Sequence, residues 1–406
     1  MYVIVKVLKM MLLFIFVCLL LPSFGLSSEN NLTIDEDLEI ERQLKLLNKP
    51  AIKTIVDDGD IYDCVDIYKQ PAFDHPSLKN HKIQLRPNSY PDGLFDDDIS
   101  SSTNGTSIEI GLKDGNTCPS GTVPIRRVSK DDLIRMRTSF KDMKMNPPVK
   151  NDKNHIQKQW AVYIGRSKKP SGFSGVSAFI NVYGLPQVML TQFSSSLAWL
   201  VNNLKEDQIN IISVGWTVSP VTYGDNKTRL TAGWTIDNYQ KTGCQDTSCP
   251  GFVQLSKKLP LGFAVKRLST YGGKQYGLNI IVFKDPDSKN WWLFLGKDRE
   301  LIGYWPNELF TALPFNQIHF GGTVGYIENS KKPPMGSGHF PIEGIHKSCL
   351  ISNIRYANME NKMQDLELDV LSPYSSLRKC YYVGPYFKEN DQYGNMFFFG
   401  GPENCP

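Results

Sequence analysis

The chain has 406 residues, more than one ordinary domain holds, so two are expected. With 41% hydrophobic and 21% charged residues, a packed core is available and wholesale disorder is excluded. Lys and Arg number 45 against 41 Asp and Glu, a near-balance that argues against nucleic acid as a partner, because phosphate binding needs a concentrated basic surface.

Residues 1–25 read as a signal peptide. Lys6 and Lys9 supply the positive start, Met10 to Leu21 is an unbroken apolar run, and Ser23 and Gly25 offer small residues for cleavage. The apolar run is shorter than the roughly 18 residues a membrane span needs, and no later stretch reaches that length, so no membrane attachment is expected after cleavage. Of 8 cysteines, Cys18 leaves with the leader. The odd remainder, in an oxidising compartment, leaves one thiol free or paired between chains. Asn31, Asn104 and Asn226 each open an N-glycosylation sequon. The expected location is extracellular, in the medium or the cell wall.

From Asn30 to Asn48 the apolar residues Ile40, Leu44 and Leu47 recur at helical spacing. Thr33 and Glu36 form a candidate capping box, and Pro50 stops the helix. From Asp63 to about Asn151 the text is rich in turns and irregular, with Pro71, Pro76, Pro87 and Pro91. It holds only Cys64 and Cys118, and a bridge between them would close a long loop. Lys130 to Met143 predicts a second helix, and Pro147 and Pro148 mark a linker. After His155 short β-prone runs follow one another: Trp160 to Ile164, Val176 to Tyr183, Gln187 to Phe193, Asn210 to Val218, Leu278 to Phe283, Trp291 to Leu295 and Ile318 to Phe320. Turn residues separate them, which predicts an all-β antiparallel sandwich or barrel.

Common catalytic motifs are missing. There is no HExxH, no P-loop and no dinucleotide fingerprint, and the 6 histidines are scattered, so no metal or cofactor is expected. Ser337 and His339 stand two apart and His346 and Cys349 three apart, but a catalytic pair is a spatial arrangement that such spacing does not supply. Trp291, Trp292, Tyr304 and Trp305 are either core or the lining of a ligand cleft.

Long stretches are similar to one family. They include Val214-Gly-Trp-Thr-Val-Ser-Pro, Thr242-Gly-Cys through Cys249-Pro-Gly-Phe-Val-Gln, Ile302-Gly-Tyr-Trp-Pro, Met335-Gly-Ser-Gly-His-Phe-Pro and Phe399-Gly-Gly-Pro. In the first half the matching text is Glu39 to Pro50, Asp63-Cys-Val-Asp-Ile-Tyr-Lys-Gln-Pro, and Cys118-Pro-Ser-Gly-Thr-Val-Pro-Ile-Arg-Arg. This text resembles the neprosin family, plant secreted glutamic peptidases that cut next to proline. The resemblance implies an activation peptide over residues 26–150 and a β-sandwich of two antiparallel sheets over 151–406. It implies bridges Cys244–Cys249 and Cys380–Cys405. If Cys64 pairs with Cys118, Cys349 is the free thiol.

The resemblance also implies a mechanism in which two glutamates face each other across a cleft, one as base toward water and one as acid toward the scissile amide. One precedes a small-Gly-Trp run and the other follows an aromatic-Gly-Gly. This chain carries Ser213 and Thr323 at those positions. Hydroxyls are not bases at working pH without a partner. The expected function is therefore a secreted, non-hydrolytic relative that binds peptide or proline-rich wall polymers in the former active-site cleft, with the activation peptide still attached and occupying it. The rivals are an acid endopeptidase that recruits Asp225, Glu328 or Glu343, and a structural extracellular protein.

Overall fold

The computed structural model describes residues 34–95, 105–141 apart from 109 and 114, and 156–405 apart from 169–171, 206–207, 297, 312–313 and 390–392. The leader, the proposed capping residue Thr33, the sequons at Asn31 and Asn104 and the proline linker lie outside the described residues. Met1–Glu39 forms a unit of its own, in which only the start of the first helix is described. All contacts below lie within the second unit, Ile40–Pro406.

Helix α1 (Ile34–Leu47) is followed by β1 (Ala51–Asp57), β2 (Asp60–Asp66), β3 (Gly105–Ser107), β4 (Thr122–Arg126) and α2 (Lys130–Lys141). The second half runs through β5 (Ile156–Arg166), β6 (Gly175–Asn181), β7 (Phe193–Asn202), β8 (Asn210–Val218), the short α3 (Pro220–Tyr223), β9 (Thr228–Thr235), β10 (Cys244–Gln245) and β11 (Val253–Gln254). Then come β12 (Gln275–Lys284), β13 (Trp291–Leu295), β14 (Glu300–Trp305), β15 (Gln317–Ile327), β16 (Cys349–Ala357), β17 (Met363–Asp365), β18 (Leu371–Ser375), β19 (Tyr382–Val383), β20 (Phe387–Lys388) and β21 (Asn395–Gly400).

These strands make an all-β sandwich. The front sheet has seven strands in the order β10-β9-β8-β7-β15-β5-β18. The back sheet has eleven, eight of them in the order β11-β14-β13-β12-β6-β16-β21-β19, with β3, β17 and β20 paired at its margins. Alternation along each strand sorts side chains to the two faces. On β8, Ile212, Val214, Trp216 and Val218 enter the core between the sheets, while Ser213, Gly215 and Thr217 take the outer face. Trp216 ties the layers together by donating its indole N–H to the Asn181 carbonyl on β6 at 2.6 Å.

The back sheet is apolar on both faces, so it needs cover on both. Trp291, Leu293 and Leu295 face the inter-sheet core, whereas Trp292 and Phe294 face outward. The outward residues join Phe283, Tyr304 and Val253 in a second cluster closed by Ala72, Phe73 and Leu94 of the N-terminal region. The turn-rich region thus forms a third layer over the back sheet. It also contains a three-stranded sheet, β1-β2-β4.

Gln187 to Phe193, expected to be a strand, is a turn: Gln192 donates its backbone N–H to the Met189 carbonyl and accepts the Met189 N–H on its side-chain oxygen. The strand starts at Phe193 and runs through the serines 194–196.

Cys64–Cys118, Cys244–Cys249 and Cys380–Cys405 are bridged, with Cα–Cα distances of 5.4, 5.6 and 5.4 Å, and Cys349 is a free, buried thiol. No helix among the described residues is long and apolar enough to cross a membrane.

Candidate functional site

On the outer face of the front sheet lies a cavity of about 120 Å³. Its floor is set by register. Thr323 on β15 stands opposite Trp160 on β5 and Ser195 on β7, and Ser195 stands opposite Thr217 on β8. Ser213 is four residues before Thr217 and therefore on the same face. Ser213 and Thr323 both line this cleft. They are separated by two strand spacings, with β7 between them, and four residues, on the order of 15 Å along a flat sheet, so their short side chains do not touch.

Glycines shape the floor beside both residues. A Cβ on Gly215 would lie 2.1 Å from the Ser196 carbonyl oxygen, and one on Gly321 2.2 Å from that of Ala161. Gly321 also has φ +147°, which side chains disfavour. Neighbouring backbones therefore approach closely at the glycines of the two motifs.

The hydroxyls of the cleft are mostly satisfied internally. Ser195 and Thr217 share a bond of 2.7 Å, Ser219 donates to Thr222 at 2.8 Å, and Thr231 donates to Asp246 at 3.0 Å. Ser213 is hydrogen-bonded to Tyr239, whose own ionisation is pushed up by burial. Thr323, 5% exposed, has no hydrogen-bond partner for its hydroxyl. Aromatic walls complete the site: Trp160 and Trp199 pack with ring centroids 5.7 Å apart, and Phe193 also lines it. Among the described lining residues Lys158 is the one charged side chain, and no carboxylate is among them.

The carboxylates considered from sequence lie elsewhere. Asp225 binds the Arg229 guanidinium at 2.6 Å. Glu328 is exposed just beyond the end of β15. Glu343 accepts from Tyr271 at 2.9 Å and pairs with His339 at 3.2 Å, and these contacts hold its carboxyl low against the opposing effect of burial. Asp246, which sequence reading missed, lies just behind the floor. One oxygen accepts from Thr231 and the Ala232 N–H, the other from Tyr223, and burial pushes its carboxyl up. Its position is legible only once β10 is seen to pair with β9.

His339 is bound to Glu343 rather than to Ser337. Cys349 is buried with its thiol directed to the Asn181 carbonyl, and burial raises its pKa, so it is not a poised nucleophile. Trp291 and Trp305 are inter-sheet core, and Trp292 and Tyr304 lie under the N-terminal layer; none of the four lines the cleft. Asn226 is exposed, and its amide nitrogen donates to the Pro186 and Val188 carbonyls. No residue of the described 34–141 lines the cleft either, which differs from the expectation that the N-terminal region occupies it. Among the described residues no cluster of three or more His, Cys, Asp or Glu is arranged to hold a metal.

Two solved structures show distant similarity. Scytalido-glutamic peptidase, crystallised with a peptide-based transition-state analogue, is 11% identical over 60% of this chain and 98% of its own, with a TM-score of 0.32. The CBM40 of Ruminococcus gnavus IT-sialidase, bound to α2,6-sialyllactose, is 12% identical over 44% of this chain and 94% of its own, with a TM-score of 0.21. In sequence, residues 52–165 match the Neprosin activation peptide, and residues 190–402, more than half of the chain, match Neprosin. The chain belongs to the Neprosin family.

Proposed function

We propose that this protein is a secreted, non-hydrolytic member of its family that binds extended peptide, proline-rich polymers included, in the front-sheet cleft. One observation carries the reading: the cleft that holds Ser213 and Thr323, where the resemblance puts the family's paired glutamates, is lined by hydroxyls and aromatic rings, with no carboxylate among the described lining residues. General acid and base groups each contribute about 10²–10⁴ in rate, and groups that act as a pair fail together. Ser213 and Thr323 supply neither acid nor base. Asp246 does not replace them, because its two oxygens are engaged by Tyr223, Thr231 and the Ala232 N–H.

The cleft keeps the means to hold a chain. Trp160 and Trp199 offer faces for apolar rings, and the hydroxyls offer donors and acceptors to a peptide backbone. The three disulfides suit an oxidising compartment and support secretion. The test is a paired measurement on the purified protein. Calorimetric titration with a library of blocked proline-containing peptides is expected to give saturable binding. Mass spectrometry of the same mixtures between pH 3 and pH 7 is expected to show every peptide intact. Turnover that persists through repurification would restore the acid-peptidase reading, and absence of any binding would favour a structural role.

A further inference from the structure

Ser219, Val221 and Thr222 line the cleft, and they belong to the short helix α3 and its cap. A helix of four residues does not hold its own position. Its bonds, from the Thr222, Tyr223 and Gly224 N–H groups to the Ser219 and Pro220 carbonyls, close within the turn itself. What α3 packs against therefore sets where this wall stands. Tyr223 and Gly224 do not line the cavity, and both meet the N-terminal region.

Two contacts reach the wall from that region. Arg135 of α2 lies against Gly224, the left-handed residue that ends α3, where a Cβ would stand 2.9 Å from the guanidinium carbon. Arg135 binds Asp132 at 2.5 Å. Asp132 is itself fixed at the start of α2: its carboxylate accepts the Ser129 N–H and its own N–H is donated to the Ser129 hydroxyl, both at 3.0 Å. The second contact is the Tyr223 ring, whose centroid lies 4.9 Å from the guanidinium of Arg229 and 5.4 Å from that of Arg126 on β4. Arg126 is tied to Asp60 at 3.2 Å and to Asp132 at 3.5 Å.

From Tyr223 the contacts run on into the floor. Its hydroxyl donates to Asp246, which also accepts the Thr231 hydroxyl and the Ala232 N–H. Gln245 donates to the hydroxyls of both Tyr223 and Thr231. Thr231, Ala232 and Gln245 all line the cavity, whereas Arg135, Asp132 and Arg126 do not.

We propose that helix α2 of the N-terminal region positions the cleft wall: Arg135 and the Arg126–Asp132 pair hold α3 at Gly224 and Tyr223, and Tyr223 passes that constraint to the floor at Asp246. Arg135, Asp132 and Arg126 are positioning residues for a site they do not touch. The N-terminal region shapes the cleft without filling it. This concerns the geometry of the cleft whatever ligand it takes, so the test needs no ligand and is independent of the peptide-binding reading.

Hydrogen–deuterium exchange of the intact protein, read by mass spectrometry, reports on the bonds named above. Arg135→Ala is expected to speed exchange over residues 219–224 at least about 10-fold, while β13 and β14 beneath the back-sheet layer keep the wild-type rate. Arg135→Lys, which keeps a cation for the single bond to Asp132, is expected to bring residues 219–224 back to within about threefold of wild type. Asp57→Asn breaks a different link between the N-terminal sheet and the sandwich, to Lys266, and is expected to leave the wall at the wild-type rate. Tyr223→Phe keeps the ring and removes the bond to Asp246; it is expected to speed exchange over residues 231–233 and not over 219–224. In that background Arg135→Ala is expected to change residues 231–233 by less than about twofold, because the route to the floor is already cut. An unchanged rate over 219–224 in Arg135→Ala overturns the proposal. So does an equal rise across the whole sandwich, which would mark general destabilisation, or independent, additive effects of the two substitutions on 231–233.

Discussion

Ser213 and Gly215 sit two residues apart on the same face of β8, and their roles separate. Gly215 is required by the backbone, because any Cβ would strike the Ser196 carbonyl. Gly321 is held by the same logic two residues before Thr323 on β15. The glycines beside both positions are therefore fixed by sheet geometry, while the side chains at 213 and 323 are not held by it. This separation yields a prediction. The double substitution Ser213→Glu plus Thr323→Glu places carboxyls on an unaltered floor and is expected to give acid-dependent peptide cleavage above the wild-type background. Each single substitution is expected to remain near background, because acid and base are needed together. Imperfect positioning keeps the rate well below a full contribution of about 10²–10⁴ per group. Cleavage of a quenched proline-containing peptide between pH 3 and pH 6 measures this. A single variant as active as the double would mean that another group already serves as its partner.

At the scale of elements, the contact between the β1-β2-β4 sheet and the front sheet is ionic and buried. Arg229 of β9 is fully enclosed and binds Asp60 of β2 through both terminal nitrogens, at 2.8 and 3.1 Å, while also binding Asp225. Arg126 of β4 adds a second cation to Asp60 at 3.2 Å. Burial pushes the Asp60 carboxyl up, but the bonds and charges of Arg229 and Arg126 outweigh it, so its pKa lies below the usual carboxylate range. A depressed folded value means that this stability is fully present above the unfolded pKa of about 3.9 and is lost as pH falls through the folded one. Asp60→Asn is expected to cost about 3 kcal/mol at pH 7, since it leaves a buried guanidinium short of one counter-charge. It should also reduce the loss of wild-type stability below about pH 4. Asp57→Asn breaks a partly exposed pair with Lys266 and is expected to cost less than about 1 kcal/mol. Urea titrations at pH 7 and pH 3.5 decide it; equal costs for the two variants would show that the buried network adds nothing special.

Much of the element pattern was legible because the core strands carry dense β-branched and aromatic runs. Trp291 to Leu295 and Asn210 to Val218 match their observed strands end for end. β7 was missed because the expected run ended at Phe193, where the strand begins, and Ser194, Ser195 and Ser196 carry no β-branched or aromatic signal although they lie in a central strand. β15 was cut short at Gly321-Gly322, where glycine marks close strand approach rather than a strand end. The cleft positions Ser213 and Thr323 were reached through motif resemblance. Trp199, Tyr239 and Asp246 were not, because their roles depend on cross-strand register that no local pattern encodes.

For the whole molecule, the decisive feature is where the N-terminal region lies. The cleft is on the front sheet, while Ala72, Phe73, Leu94 and β3 lie on the back sheet, and the β1-β2-β4 sheet meets β9 through Asp60 and Arg229. Gln70 and the Gln254 backbone exchange two buried bonds, 2.7 and 3.1 Å long. The Tyr304 hydroxyl is bonded to His81 and to the Gln84 N–H. Asp285 accepts the Asn88 N–H at 2.9 Å, and β3 pairs in parallel with β12. Beneath this layer Phe283, Trp292, Tyr304 and Val253 are completely buried. Stripping the layer would expose several large side chains at once, each aromatic among them carrying roughly 150–250 Å², and a contiguous apolar patch of that size is rarely left open on a soluble protein. The region therefore behaves as part of the fold, and cutting the chain behind it is not expected to release it. None of the three bridges joins the two sides: Cys64–Cys118 lies wholly before the linker, and the other two lie wholly after it. A protease recognition sequence inserted between Pro147 and Pro148 makes the experiment clean. After complete cutting, size-exclusion chromatography at neutral pH is expected to show both fragments in one peak at the mass of the uncut protein, separating only in denaturant. Peptide binding by the cut complex is expected to match that of the intact chain, because the described N-terminal residues do not line the cleft. A free N-terminal fragment, together with a remaining sandwich that stays monomeric and melts at the same temperature, would show that the layer is dispensable cover after all.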